Sequence, residues 1–198
     1  MYSPAVSPKL KEKLRKLQEQ KLAIAPTREP IPNRWEDFVR LTRIRSADAI
    51  ANFEAYDYQK QIIDLIINNQ FTVIAKGRQL GCTLLASSYL LWRAAQSEAF
   101  TGVILSKTQQ DTSFVARRLR RMVESVPDLL TPETDSLTDL KLVNGGRILF
   151  RNSTPAGTRG LDSVSAIIYD ECAFLPNDQM EEIYKASIPS TSMLGSKA

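Results

Sequence analysis

The apolar positions of this 198-residue chain change period several times, and each change predicts an element. In residues 8–22, PKLKEKLRKLQEQKL, the leucines Leu10, Leu14 and Leu17 share one helical face ringed by lysines, which predicts an amphipathic helix. Residues 24–33 hold three prolines and read as an extended linker. A second helix is predicted near Trp35–Leu41, so residues 1–50 are expected to form a basic helical arm with a Pro-rich linker, and 53–198 the compact domain. From there Tyr58, Ile62, Leu65 and Ile66 keep helical spacing within Tyr56–Asn69. Phe71–Ala75 reads as a buried strand, Thr83–Ala95 as a helix, Gly102–Ser106 as a second buried strand and Gln109–Glu124 as another helix. Residues 127–138 are polar and predict a loop. Asn144-Gly145-Gly146 between two short apolar runs is a hairpin signal. Ala166–Tyr169 is a third continuous apolar run and ends in Asp170-Glu171. Strands apolar on both faces and separated by helices predict an α/β fold, a mostly parallel sheet with helices on both faces.

Composition narrows the chemistry. No apolar stretch approaches the ~20 residues that span a bilayer, so no membrane partner is expected, and the N-terminus has no apolar signal region. Histidine is absent, which excludes imidazole acid–base catalysis, and the two cysteines, Cys82 and Cys172, are not spaced as zinc ligands. Reduced cysteines in a cytosolic compartment are the simplest expectation. Residues 1–45 carry 11 Lys/Arg against 5 Asp/Glu, a balance of +6 within a net +4, so the other residues balance at −2. A basic arm on a near-neutral body suits nucleic acid or an acidic protein surface, although a solvated helix face and linker would look the same.

The most informative segment is FTVIAKGRQLGCT, residues 71–83. An apolar run, a short loop, then Gly81 and Thr83 opening a helix give the strand–loop–helix order that cradles phosphates on backbone N–H groups and a helix N-terminus. Against the usual G-x-x-x-x-G-K-[ST] pattern, Cys82 stands where the lysine belongs and Lys76 where the first glycine belongs. Lys76, at the loop's entrance, has a stem long enough to bring its ammonium over the phosphates; an ordinary surface lysine is the alternative. Gly77, Arg78, Gln79 and Leu80 complete the loop, and Arg78 offers a planar fork of donors to phosphate or to a pinning carboxylate. About 90 residues downstream, AIIYDE delivers Asp170 and Glu171 to the carboxyl edge of a sheet, where open α/β sheets bind ligands. Asp170 with the hydroxyl of Thr83 would hold Mg²⁺, and Glu171 would polarise the water attacking the γ-phosphorus of ATP. Tyr58 and Gln59 precede the first strand, where an amide can pair with an adenine edge. Arg159, in Gly157-Thr158-Arg159-Gly160, could insert into a neighbouring subunit's site, pin structure locally or contact DNA. The Arg117-Arg118-Leu119-Arg120-Arg121 run is a solvated helix face, a DNA path or a subunit contact.

Together KGRQLGCT, IIYDECAF with its following LPN, and YDYQKQ resemble the large terminase subunit of tailed bacteriophages, the ATPase motor that packages DNA into proheads, over about residues 53–188. Some members of that family carry the loop lysine at the loop's start, the variant that Lys76 matches. The resemblance implies a RecA-like P-loop core of the additional-strand (ASCE) class that uses ATP and Mg²⁺. It implies a homo-oligomeric ring, typically pentameric, that translocates double-stranded DNA and meets a portal and a small terminase subunit. It also implies residence in the host cytoplasm and transiently at the prohead portal, outside the finished virion. By this likeness Lys76, Arg78, Gly81 and Thr83 match the phosphate loop, Tyr58 and Gln59 the adenine motif, Asp170 and Glu171 the metal and catalytic positions, and Arg159 a trans-acting arginine. Family members usually continue into a nuclease domain. Here the chain stops at Ala198, with residues 186–198 resembling the approach to a further strand, so a truncated ATPase domain without nuclease is expected. Two other readings compete: a superfamily 2 helicase-like ATPase, and a non-catalytic adaptor that binds nucleotide or DNA without turnover.

Overall fold

The computed structural model describes residues 12, 29–46, 49–77, 80–158 and 160–192. The chain divides into two units, Met1–Pro30 and Ile31–Ala198. The helix expected over residues 8–22 lies outside the described residues but for Glu12.

The second unit begins well before Phe53. Helix α1 (Trp35–Leu41) buries Trp35, Phe38 and Val39 in the main core. The Trp35 indole donates to Ser88 Oγ at 3.1 Å, and the Trp92 indole donates to the Pro32 carbonyl at 2.8 Å. Strands β1 (Arg43–Ser46) and β2 (Ala49–Asn52) follow as an antiparallel ribbon. These residues read as arm because their pattern is too short to announce burial. The two tryptophans and Phe38 dock the segment because they remove large apolar surfaces from water.

After α2 (Asp57–Asn68) comes α3 (Cys82–Gln96), whose Leu85, Leu90, Leu91 and Ala94 are fully buried. A helix apolar around most of its girth belongs in the centre of a domain. Strand β3 (Thr101–Ser106) leads to α4 (Gln109–Glu124), capped by Thr108, whose side chain accepts from Asp111 N while Asp111 accepts from Thr108 N. Strands β4 (Pro132–Ser136), β5 (Asp139–Leu142) and β6 (Arg147–Asn152) come next. The single turn α5 (Pro155–Thr158), β7 (Ala166–Tyr169), a 3-10 turn at Cys172–Phe174 and α6 (Asn177–Ser192) complete the described chain.

The five strands are ordered β4-β5-β6-β3-β7. β3 pairs in parallel with β6 and β7, whereas β4–β5 and β5–β6 are antiparallel, so the sheet is mixed rather than mostly parallel. Residues 132–136, expected as loop, form a fully exposed edge strand that only its pairing with β5 reveals. The hairpin at Asn144-Gly145-Gly146 is present, and a Cβ on Gly146 would lie 1.9 Å from the Ala94 carbonyl oxygen, so only glycine fits there. Ile104, Ile148, Phe150 and Ile168 join the core that includes α3 and α4. Val103, Leu105, Leu149, Ile167 and Tyr169 form a second core with Ile183 of α6. Helices therefore do cover both faces.

The largest departure concerns Phe71–Ala75. Residues 71–77 carry no strand or helix, and Phe71 and Val73 are 64% and 96% exposed. The expected buried strand is not formed, because among the described residues β7 pairs only with β3 and no strand lies alongside 71–75. Residues 186–192, expected to approach a further strand, close helix α6 instead.

Candidate functional site

The loop meets its helix at Gly81, which sits in the left-handed region at φ 71° and caps α3. A side chain there is strained, and a Cβ would approach Gln59 Nε2 to 3.3 Å. The first helical bond behind it runs from Leu85 N to Gly81 O at 2.9 Å, so the N–H groups of Cys82, Thr83 and Leu84 lack a partner within the helix. The loop is tied down from α2. Tyr58 Oη donates to the Leu80 carbonyl at 3.0 Å, and Gln59 Nε2 lies 3.5 Å from the same oxygen. Gln59 Oε1 accepts from Tyr56 N at 3.1 Å, so the amide already braces both its own helix and the loop. Tyr56, which no motif singles out, stacks on Tyr58 with centroids 5.7 Å apart and planes 9° apart. The signal was an aromatic at i and i+2 across a helix start.

The acidic strand end reaches the same place. Asp170 N donates to Leu105 O at 2.8 Å, carrying the β3–β7 ladder one residue further. Thr83 Oγ1 donates to Asp170 Oδ1 at 2.8 Å, across 87 residues of sequence. Glu171 has φ 54°, a left-handed conformation that a non-glycine residue rarely adopts and that is often found at functional sites. Its carboxylate is exposed beside the 3-10 turn, and Lys107, just beyond β3, sits 5.9 Å from the Phe174 ring of that turn. The loops after β3 and β7 are thus in contact.

The structure brings together Tyr58, Gln59, Leu80, Gly81, Thr83 and Asp170, with Glu171 adjoining. Lys76 and Gly77 are exposed on the entering segment, and no ion pair holds Lys76 among the described residues. Arg78, Gln79 and Arg159 lie outside the described residues. Cys82, the first residue of α3, is a free and buried cysteine. Gly157 and Thr158 close the turn α5 with Thr158 buried; a Cβ on Gly157 would meet the Asn152 carbonyl oxygen at 2.4 Å.

A hydroxyl and a carboxylate side by side, next to free helix N–H groups, fit a hard cation shared with an anionic substrate. Among the described residues no group of three His, Cys, Asp or Glu side chains could hold a metal alone. Ser106 ends β3, the strand next to β7, and its hydroxyl is buried with no hydrogen-bond partner among the described residues.

The sequence also matches the model of a known family. The model for the large terminase subunit of T4-like viruses, N-terminal part, matches residues 73–188, more than half of the chain. The chain belongs to the large terminase subunit family. The match opens in the segment before the terminase loop and closes in α6, so it contains both the Thr83 and the Asp170 halves of the site. Family membership supports a role in bacteriophage DNA packaging, and large terminase subunits are generally ATPases. Among the described residues of this terminase chain, no helix is long and apolar enough to cross a membrane.

Proposed function

We propose that this chain is the ATP-hydrolysing motor domain of a DNA-packaging terminase, with a RecA-like P-loop core. The observation that carries the reading is the 2.8 Å hydrogen bond from Thr83 to Asp170, which joins the glycine loop to the acidic strand end. The parallel trio β6-β3-β7, with its polar residues gathered at the carboxyl ends, also supports it. In this proposal Thr83 and Asp170 hold Mg²⁺, whose positive charge would offset charge on the β- and γ-phosphate oxygens. The N–H groups at the start of α3 receive phosphate oxygens, and Lys76 reaches back over them. Arg78 and Gln79 would complete the loop, and Tyr58 and Gln59 would face adenine while bracing Leu80. Glu171 accepts a proton from the attacking water, and its backbone turns the carboxylate out of the strand. Arg159 is proposed to act across subunits of a homo-oligomeric ring, a pentamer by family likeness, that meets the portal and small subunit.

Double-stranded DNA is the proposed cargo. Its contact surface is suggested by α4, where Arg117, Arg118 and Arg121 are exposed and carry no ion pair among the described residues. The outer face of β1, which packs beside α4, adds exposed Arg43 and Arg45. Such a surface neutralises backbone phosphate without reading bases, as a translocating motor requires.

The test is turnover of Mg–ATP with and without duplex DNA. We expect hydrolysis that Lys76→Ala and Glu171→Gln each reduce by about 100-fold or more, with Glu171→Gln still binding Mg–ATP. Binding without turnover under both conditions would favour the adaptor reading. No Mg–ATP binding at all would remove the site.

A further inference from the structure

Ser106 ends β3 at 1% exposure, and its hydroxyl is the buried side-chain polar atom without a hydrogen-bond partner among the described residues. A buried hydroxyl without a protein partner is a group that a partner arriving later can satisfy. Its position says which one. Ile104 and Ile168 are register partners that pack into the same core, and side chains two residues further along parallel strands return to the same face. Ser106 and Asp170 stand there, on adjacent strands, with the ladder bond from Asp170 N to Leu105 O keeping the two in step. On the other flank Ser106 is the register partner of Asn152, again two residues beyond a core residue, Phe150. Asn152 Oδ1 lies 3.4 Å from Thr112 Oγ1 of α4. Three polar residues, Asn152, Ser106 and Asp170, therefore stand in a row across the carboxyl ends of β6, β3 and β7, and Asp170 also accepts from Thr83.

We propose that Ser106 is a positioning residue of the nucleotide site. In the free chain Asp170 has Thr83 as its hydroxyl donor. When that hydroxyl is turned towards cation and phosphate, Ser106 supplies the replacement donor to the Asp170 carboxylate. Asn152 is placed to donate to the Ser106 oxygen from behind. The bond keeps the carboxylate aimed while one of its oxygens faces the cation, and it is made only in the loaded state. This rests on the nucleotide reading given above, and it concerns a residue that the loop and acidic motifs leave out.

The experiment measures two things on the whole chain: thermal midpoint without nucleotide, and affinity for Mg–ADP beside ADP in EDTA. Ser106→Ala should leave the nucleotide-free midpoint unchanged or raised, because it removes an unsatisfied polar group. The same variant should weaken Mg–ADP about tenfold, the size expected for losing a hydrogen bond to a charged group, and leave metal-free ADP binding unaltered. Ser106→Thr, which keeps the hydroxyl, should restore the affinity. In an Asp170→Asn background the Ser106→Ala effect should shrink, since the partner's charge is gone. A Ser106→Ala chain with lower midpoint and undiminished Mg–ADP affinity would mark the hydroxyl as structural and overturn the proposal while leaving the nucleotide site intact. Wild-type chain that binds neither form of ADP would overturn both.

Discussion

Residues 71–75, Phe-Thr-Val-Ile-Ala, and residues 102–106, Gly-Val-Ile-Leu-Ser, are close counterparts in sequence and opposites in structure. The second lies in the interior of the sheet, paired on both sides, with Val103, Ile104 and Leu105 wholly buried. The first pairs with nothing among the described residues and leaves Val73 96% exposed. Composition favours a strand in both, but a strand is completed by its neighbours, since each N–H and C=O needs a ladder partner and each face a cover. β3 has β6 and β7 as partners and a core on each face, which the 71–75 segment lacks. The consequence for the candidate site is direct: the helix side of the glycine loop is anchored by Tyr58 and Gln59, while its strand side, bearing Lys76, is held by little.

The sharpest way to break this contrast is a matched pair of truncations. Ile104→Ala should destabilise the chain by about 2–5 kcal/mol, and Val73→Ala by less than about 0.5 kcal/mol, read from denaturant midpoints. Equal costs would mean that 71–75 is packed in solution as β3 is. A smaller effect is expected at the boundary between the ordered and unanchored sides of the loop. Gly81→Ala forces a Cβ into the left-handed region beside Gln59, which should cost about 1 kcal/mol and disturb nucleotide affinity as well. If stability and affinity both stay unchanged, the loop is not held in this conformation.

The smallest effect belongs to the far face of β7. Burial pushes the Tyr169 hydroxyl above its ordinary value of 10.0, against a weaker opposing hydrogen bond with Ser187 and a small further rise from Tyr184. A raised value in the folded state means that the folded chain keeps its proton while the unfolded chain releases it. The contribution is therefore whole below about pH 10 and is lost as pH rises through the folded value. Wild type should lose stability over that interval relative to Tyr169→Phe, measured as the difference in urea midpoints; parallel curves would show that the hydroxyl is not buried as placed.

Much of this was legible in the chain. The helix at Gln109–Glu124 and the strand at Ala166–Tyr169 fall where periodicity puts them, because their apolar positions are local and long enough to fix a period. Thr83 and Asp170 were identifiable because each sits at a fixed place in a motif, a helix start and a strand end. Other features were hidden for an equally physical reason. The polar edge strand β4 has no apolar alternation, and it exists because β5 offers it hydrogen bonds. Trp35 and Phe38 looked like part of an arm, and only the groove beside α3 makes them core.

Sequence by itself determined the α/β alternation, the family and the pair of chemical groups at the candidate site, since these depend on residue type and short-range spacing. Tertiary structure alone decided that Thr83 meets Asp170 and that, among the described residues, Ser106 has no partner and Phe71–Ala75 stays unpaired. Those outcomes turn on which strand lies next to which, and register between distant segments is a property of the packed sheet that no local pattern carries.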